Sequence, residues 1–195
     1  MGRNAEVTRK TKETDIYVKV DLDGTGISDV STCIPFFDHM LDLVCVHGFM
    51  DLAVKASGDI EVDFHHTVED VGLVLGEAFS KALGERKGIR RYGEASVPMD
   101  EALTRVNVDF SNRPYLVYNV PDDIRVKGSF DVFLAKEFFR AVSVKGGLNL
   151  HVNTEYGENE HHVVESIFKA FARAVNDAVS LRQGPAVPLS SKGAL

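Results

Sequence analysis

The sequence predicts an α+β fold that is internally duplicated: two similar strand-and-helix halves fused into one compact unit, each sheet carrying its helices on one side. Three observations predict it. The motif HHxxE occurs twice, as His65-His66-Thr67-Val68-Glu69 and as His161-His162-Val163-Val164-Glu165. Other residues repeat in the same order around it. A shift of 96 carries Ala78 and Ala82 onto Ala174 and Ala178, and a shift of 98 carries Val44, Val46, Gly48, Leu52 and Val54 onto Val142, Val144, Gly146, Leu150 and Val152. A shift of 88 carries Val18, Val20 and Asp21 onto Val106, Val108 and Asp109. Finally, hydrophobic periodicity changes from two to 3.6 in the same succession in both halves.

Each half opens on a strand pattern, Ile16–Val20 and Thr104–Val108, with apolar residues at alternate positions. Gly24-Thr25-Gly26 and Ser111-Asn112-Arg113-Pro114 turn the chain. A helix follows. Pro35 suits the opening of the first, with Phe36, Phe37, Met40, Leu41 and Val44 as its apolar face. Leu134, Phe138, Phe139 and Val142 form the matching face in the second half. Gly48 and Gly146-Gly147 suit the helix ends. A second strand comes next, through Met50, Leu52 and Val54 and through Leu148, Leu150 and Val152. HHxxE then opens the longest helices, 65–83 and 161–181. The changing offset puts about ten extra residues near 114–133. The repeats cover about 10–92 and 98–185 of one domain spanning 1–195, joined by the short Gly93–Pro98 stretch, and 185–195 reads as an irregular tail contributing to the site.

Composition excludes several classes. The 195 residues carry a net charge of −7 and are 44% hydrophobic, which is ordinary for a globular protein. No basic stripe suits nucleic acid. No apolar run approaches the roughly 18 residues of a membrane span, and the start lacks the apolar core of a secretory signal. Cys33 and Cys45 are too few for a disulfide scaffold and sit among apolar residues, so buried free thiols in the cytoplasm are expected.

The seven histidines carry the chemistry. Residues i and i+4 share a helix face, so His65 with Glu69, and His161 with Glu165, can each hold a metal from one side. His66 and His162 point about 100° away from their neighbours. The economical arrangement is a cross-over: one site takes His161, Glu165 and His66, the other His65, Glu69 and His162. His39 and Glu137 correspond at the shift of 98 and supply a fourth ligand to each, in that order. Imidazole and carboxylate together suit manganese, iron, zinc or cobalt, and open positions remain for water or substrate. A single HHxxE is more often a solvated helix start; two copies with matching partners favour ligands.

Glu13 precedes the first strand and corresponds to Glu101 at the shift of 88; a carboxylate beside such a centre can act as general base. His47, before Gly48, is a candidate proton carrier. His151 reads as a core or surface histidine. Arg90-Arg91, Arg113 and Ser190-Ser191-Lys192-Gly193 read as a phosphate grip if folding or neighbouring subunits bring them together.

The segments RKTKET (9–14), IPFFDHML (34–41), GDIEVDFHHTVEDVG (58–72), DEALTRVNVDFSNRP (100–114), GENEHHVVESIFKAFARA (157–174) and SSKG (190–193) resemble the imidazoleglycerol-phosphate dehydratase family nearly end to end. The resemblance implies a hydro-lyase of histidine biosynthesis that converts imidazole glycerol phosphate to imidazole acetol phosphate. It implies two Mn²⁺ ions per active site, held by His39, His66, His161 and Glu165 and by His65, Glu69, His162 and Glu137. It implies substrate contacts from Glu13, His47, Arg91, Arg113, Ser191, Lys192 and Gly193, and from the ligands His39, His65, Glu69 and His161. It also implies a homo-oligomer, a 24-subunit shell built from trimers with active sites between subunits. Two positions depart from the pattern: some members carry His at Glu137, and Gly is usual at Cys33. In the reaction this implies, the proton removed is not acidic, so the imidazole ring has to drive out the hydroxyl; an imidazolate passing through a diazafulvene-like state, with Glu13 as base, meets that need. A dimetal phosphoesterase or a non-catalytic metal-binding shell would use the same ligands.

Overall fold

The computed structural model describes residues 2–121, 130 and 132–193. Among them the first half forms β1 (Asn4–Lys10), β2 (Thr14–Asp21), β3 (Ser28–Ser31), α1 (Pro35–Gly48), β4 (Asp51–Gly58) and α2 (His65–Leu83). The second half repeats that order as β5 (Tyr92–Met99), β6 (Ala102–Asp109), β7 (Tyr115–Asn119), α3 (Val132–Gly146), β8 (Asn149–Tyr156) and α4 (Glu160–Val179). The sheets run β1-β2-β4-β3 and β5-β6-β8-β7. In each, the first three strands are antiparallel and the last pairs parallel to its neighbour. The duplication therefore extends to topology.

Strand burial follows the period of two. Ile16, Val18 and Val20 of β2 are fully buried while Asp15 and Lys19 face solvent, and β6 buries Ala102, Thr104, Val106 and Val108 in the same way. A sheet with one wet face needs a cover for the other. α2 covers β1, β2 and β4, and α4 covers β5, β6 and β8. Each long helix also packs on the short helix of the other half, α2 on α3 and α4 on α1. Phe138 of α3 also bridges to α4 and α1. Its ring stacks on Phe168 at 5.3 Å and meets Phe37 edge-on at 5.3 Å. Full burial of such a ring contributes about 2–3 kcal/mol. Gly76 lets α2 and α3 touch backbone to backbone: a Cβ there would lie 2.7 Å from the Val142 carbonyl oxygen.

The structure corrects the reading between the halves. Gly93–Pro98 is no linker but the middle of β5, paired along its length with β6. Pro98 is tolerated because β5 is an edge strand. Gly93 is required because a Cβ would lie 2.0 Å from the Ala174 carbonyl oxygen of α4. The edge strands β1, β3 and β7 also escape the hydrophobic pattern; β1 buries only Val7. The last long helix begins at Glu160 and ends at Val179, not 161–181, since Ser180 turns extended and Leu181 pairs with Ile89. Of the insertion expected near 114–133, positions 122–129 and 131 lie outside the described residues. Cys33 is exposed, not buried, in a left-handed turn with φ 64°, a conformation suited to glycine. Cys45 is buried, which pushes its thiol up to about 12 and leaves it inert.

Candidate metal centre and phosphate pocket

Both HHxxE starts are tied by a side-chain oxygen two residues before the first histidine, from the N-cap Asn159 in α4 and from Asp63, one residue ahead of the N-cap Phe64, in α2. The Asp63 carboxylate accepts the His65 N–H at 2.8 Å, and the Asn159 side-chain oxygen accepts the His161 N–H at 3.0 Å. These bonds fix the first turn, from which the histidines project. The i, i+4 pairs then converge: His65 Nε2 lies 3.5 Å from Glu69 Oε2, and His161 Nε2 lies 3.0 Å from Glu165 Oε2. Because α1 packs on α4, His39 Nε2 also approaches Glu165 Oε2, at 3.6 Å. His39, His161 and Glu165 bring one ligand atom each within 4.8 Å of one another, one group from the first half and two from the second. Glu165 is buried, which opposes its ionisation. The Lys169 ammonium at 2.6 Å and the His161 ring outweigh burial and hold the carboxyl below its ordinary range. Lys169 occupies Oε1, so Oε2 is the atom turned to the histidines.

The second cluster is looser. Arg140 of α3 stands between its carboxylates, with a nitrogen 3.0 Å from Glu69 Oε1 and Nε 2.7 Å from Glu137 Oε2. Among the described residues, His65, Glu69 and Glu137 do not close into a group like the first. Nor do His66 and His162 join either cluster within the chain. His66 Nδ1 lies 3.0 Å from Asp59 Oδ2, and His162 Nδ1 lies 2.6 Å from Glu101 Oε2. The hydrogen bond to Asp59 raises the His66 pKa above its ordinary 6.5. The bond from His162, and after it the Asn159 amide, lowers the Glu101 carboxyl to about 2.

Glu13 lies in the turn between β1 and β2, and Glu101 in the corresponding turn between β5 and β6. Glu101 is fully engaged: Oε1 accepts the N–H groups of Glu158 and Asn159 while Oε2 faces His162. The Glu13 carboxylate is exposed and acts on His66 only through its charge. His47 lies half-buried beside α4; burial, then Lys169 and Arg173, lower its pKa and favour the neutral ring. His151 is a half-buried residue of β8 paired across to Asn107, apart from both clusters.

The three phosphate-type spots each send residues to one pocket. Arg91, Ser111, Asn112, Arg113, Ser190, Ser191 and Lys192 line a pocket of about 300 Å³. Arg91 is buried and braced by Asp109, at 2.6 and 3.1 Å, while a third nitrogen donates to the Leu189 carbonyl at 2.6 Å and ties the tail down. Arg113 and Lys192 have no ion-pair partner among the described residues, and Ser111 Oγ is buried with no partner. Two free cations and an orphaned hydroxyl suit an anion with several acceptor oxygens. Arg90 turns away to Asp177, and Gly193 is exposed outside the lining.

Sequence reasoning missed Asp59, Lys169, Arg140, Asp109 and Ser111. Asp59, Lys169 and Arg140 stand outside the duplication, so repeat matching could not find them. Ser111 was visible only as a turn residue, although it adjoins Asn112-Arg113.

A duplicated α+β chain with histidine–carboxylate clusters at its helix starts and a cationic pocket beside its tail has the make-up of an enzyme for a phosphorylated small molecule. The sequence profile described as imidazoleglycerol-phosphate dehydratase matches residues 32–175. The imidazoleglycerol-phosphate dehydratase of Desulfosudis oleivorans is 59% identical over 195 residues, all of both chains. The crystal structure of the Staphylococcus aureus enzyme superimposes with a TM-score of 0.82 at 37% identity, over 92% of this chain and 99% of that one. The Pyrococcus furiosus enzyme, in complex with (S)-C348, gives 0.84 at 34%, over 97% and 100%. The chain belongs to the imidazoleglycerol-phosphate dehydratase family, which makes it a hydro-lyase.

Proposed function

We propose that this chain dehydrates imidazole glycerol phosphate to imidazole acetol phosphate in histidine biosynthesis, at a site holding two Mn²⁺ ions. The observation that carries the reading is the convergence of His39, His161 and Glu165 within 4.8 Å. A buried carboxylate kept ionised between imidazoles is a donor set for a divalent transition metal. His66 would complete that centre, and His65, Glu69, Glu137 and His162 would form the other. Since His66 and His162 stand apart from the clusters of their own chain, they would serve a neighbouring subunit's. That arrangement supports active sites between subunits of a homo-oligomer, the trimer-based 24-subunit shell of the family.

The metals, when bound, supply Lewis acidity that draws charge from the imidazole ring nitrogens. The protein does the rest. Arg113, Lys192, Ser191 and Ser111 hold the phosphate, with Arg91 bracing the pocket and the tail that closes it, so that remote binding orients the reacting carbon atoms. Glu13, free of the bonds that occupy Glu101, removes the proton from the side-chain carbon next to the one that loses its hydroxyl. His47, whose pKa burial lowers, gives up the proton of its charged ring readily and passes it to the departing oxygen, which leaves as water. The enol so formed becomes the ketone.

A dimetal phosphoesterase would use the same ligands and would release inorganic phosphate. Incubation of the Mn²⁺-loaded protein with imidazole glycerol phosphate should yield the ketone and no inorganic phosphate. Phosphate release without ketone would replace the dehydratase reading by the esterase one.

A further inference from the structure

The two halves hold their second histidines alike, but with carboxylates from unrelated places. Asp59, just beyond β4, faces His66 Nδ1 with both oxygens, at 3.1 and 3.0 Å. Glu101, in the β5–β6 turn, faces His162 Nδ1 at 2.6 Å. A carboxylate at Nδ1 selects the tautomer with its proton there, fixes the ring's rotation and leaves the lone pair on Nε2; beside Nε2 of His162 stand the Asn159 amide nitrogen at 3.4 Å and Asp100 Oδ2 at 3.7 Å. The other histidines of the clusters differ: His39, His65 and His161 turn Nε2 inward, to Glu165 or Glu69. Glu13 corresponds to Glu101 in the duplication, yet the Asp59 carboxylate occupies the bond to His66 that Glu13 would otherwise take.

We propose that Asp59 and Glu101 are positioning residues that fix the rings of His66 and His162 with Nε2 as the metal-binding atom, and that Asp59, by taking over His66, releases Glu13 for proton transfer. The inference rests on the two-metal reading above. It explains why one of two equivalent glutamates is fully engaged while the carboxylate of the other has no such bonds among the described residues.

The test uses the full-length protein stripped of metal. In Glu101→Gln the amide oxygen still accepts the Glu158 and Asn159 N–H groups, but the amide nitrogen cannot accept from Nδ1. In Asp59→Asn the backbone bonds of residue 59, its N–H to the Glu13 carbonyl and its carbonyl from the Val62 N–H, are untouched. Each variant should melt cooperatively and bind Mn²⁺ about 10–100-fold more weakly, the usual effect of losing such a support. Affinities within twofold of the parent in both variants overturn the proposal. Imidazole ¹⁵N NMR of the unsubstituted, metal-free protein gives a second readout that needs no variant. His66 and His162 should carry the neutral-ring proton on Nδ1; a proton on Nε2 of both overturns the proposal. If the unsubstituted protein shows the Nδ1 tautomers but takes up no Mn²⁺, the ring positioning stands and the two-metal reading fails.

Discussion

His39 and Glu165 come from opposite halves of the duplication and meet with Nε2 and Oε2 3.6 Å apart. The contact exists because α1 of one half packs on α4 of the other, so the cluster depends on the way the halves are joined. Replacing His39 by Ala should therefore lower Mn²⁺ bound per chain without unfolding the protein, since His39 is exposed on α1. Metal content by atomic absorption after dialysis checks this; an unchanged content removes His39 from the centre.

Glu13→Gln should leave metal content and substrate KM near the parent's and cut turnover by about 10²-fold or more, the worth of a general base. Glu101→Gln separates the two glutamates: it acts through metal affinity, so excess Mn²⁺ should restore much of its turnover, whereas Glu13→Gln should not respond to metal. Steady-state rates at low and saturating Mn²⁺ decide between them.

Arg113→Ala removes a cation that has no ion-pair partner among the described residues. A hydrogen bond to a charged group contributes about 1.5–3 kcal/mol, so substrate KM should rise roughly 10–150-fold with metal content unchanged. Retention of the parent KM would dismiss the pocket as the phosphate site.

Arg86 is buried in a left-handed conformation, φ 55°, and donates to the carbonyls of Gly147 at 3.0 Å and Gly146 at 2.8 Å, closing the end of α3. Arg86→Ala leaves those carbonyls without their donor and should cost about 2–3 kcal/mol of stability. The melting temperature of the metal-free protein checks it, and no change would mean water replaces the guanidinium without loss.

Glu101 gives a pH signature. Its carboxyl ionises near its ordinary 4.5 in the unfolded chain and at about 2 in the folded one. Ionised Glu101 therefore stabilises the fold fully above pH 4.5, and that stabilisation drains away as pH falls toward 2. The melting-temperature gap between the metal-free parent and Glu101→Gln should be widest above 4.5 and shrink below it. A gap independent of pH would contradict the ionised contact to His162.

The duplicated elements were legible because their hydrophobic periods survive in both copies: α2 spans the predicted 65–83, and Pro35 opens α1 as expected. The edge strands were not, because a strand paired on one side and wet on the other has little reason to alternate, as exposed Glu6, Thr8, Arg9 and Lys10 of β1 show. The i, i+4 geometry of His161 and Glu165 follows from helix pitch, and the approach of His39 follows from the repeat. The partners of His66 and His162 do not: Asp59 has no counterpart in the other half, and Glu101 reads as the twin of Glu13 until the turn beside it is seen to fold onto Asn159.

The histidine–carboxylate clusters are proposed to hold the metals on which dehydration depends. Turnover of imidazole glycerol phosphate by the metal-stripped protein, before and after Mn²⁺ is added, tests this most directly. No ketone product is expected before addition, and full formation after it. Equal turnover in both states, or none in a folded protein with Mn²⁺ restored, would contradict it.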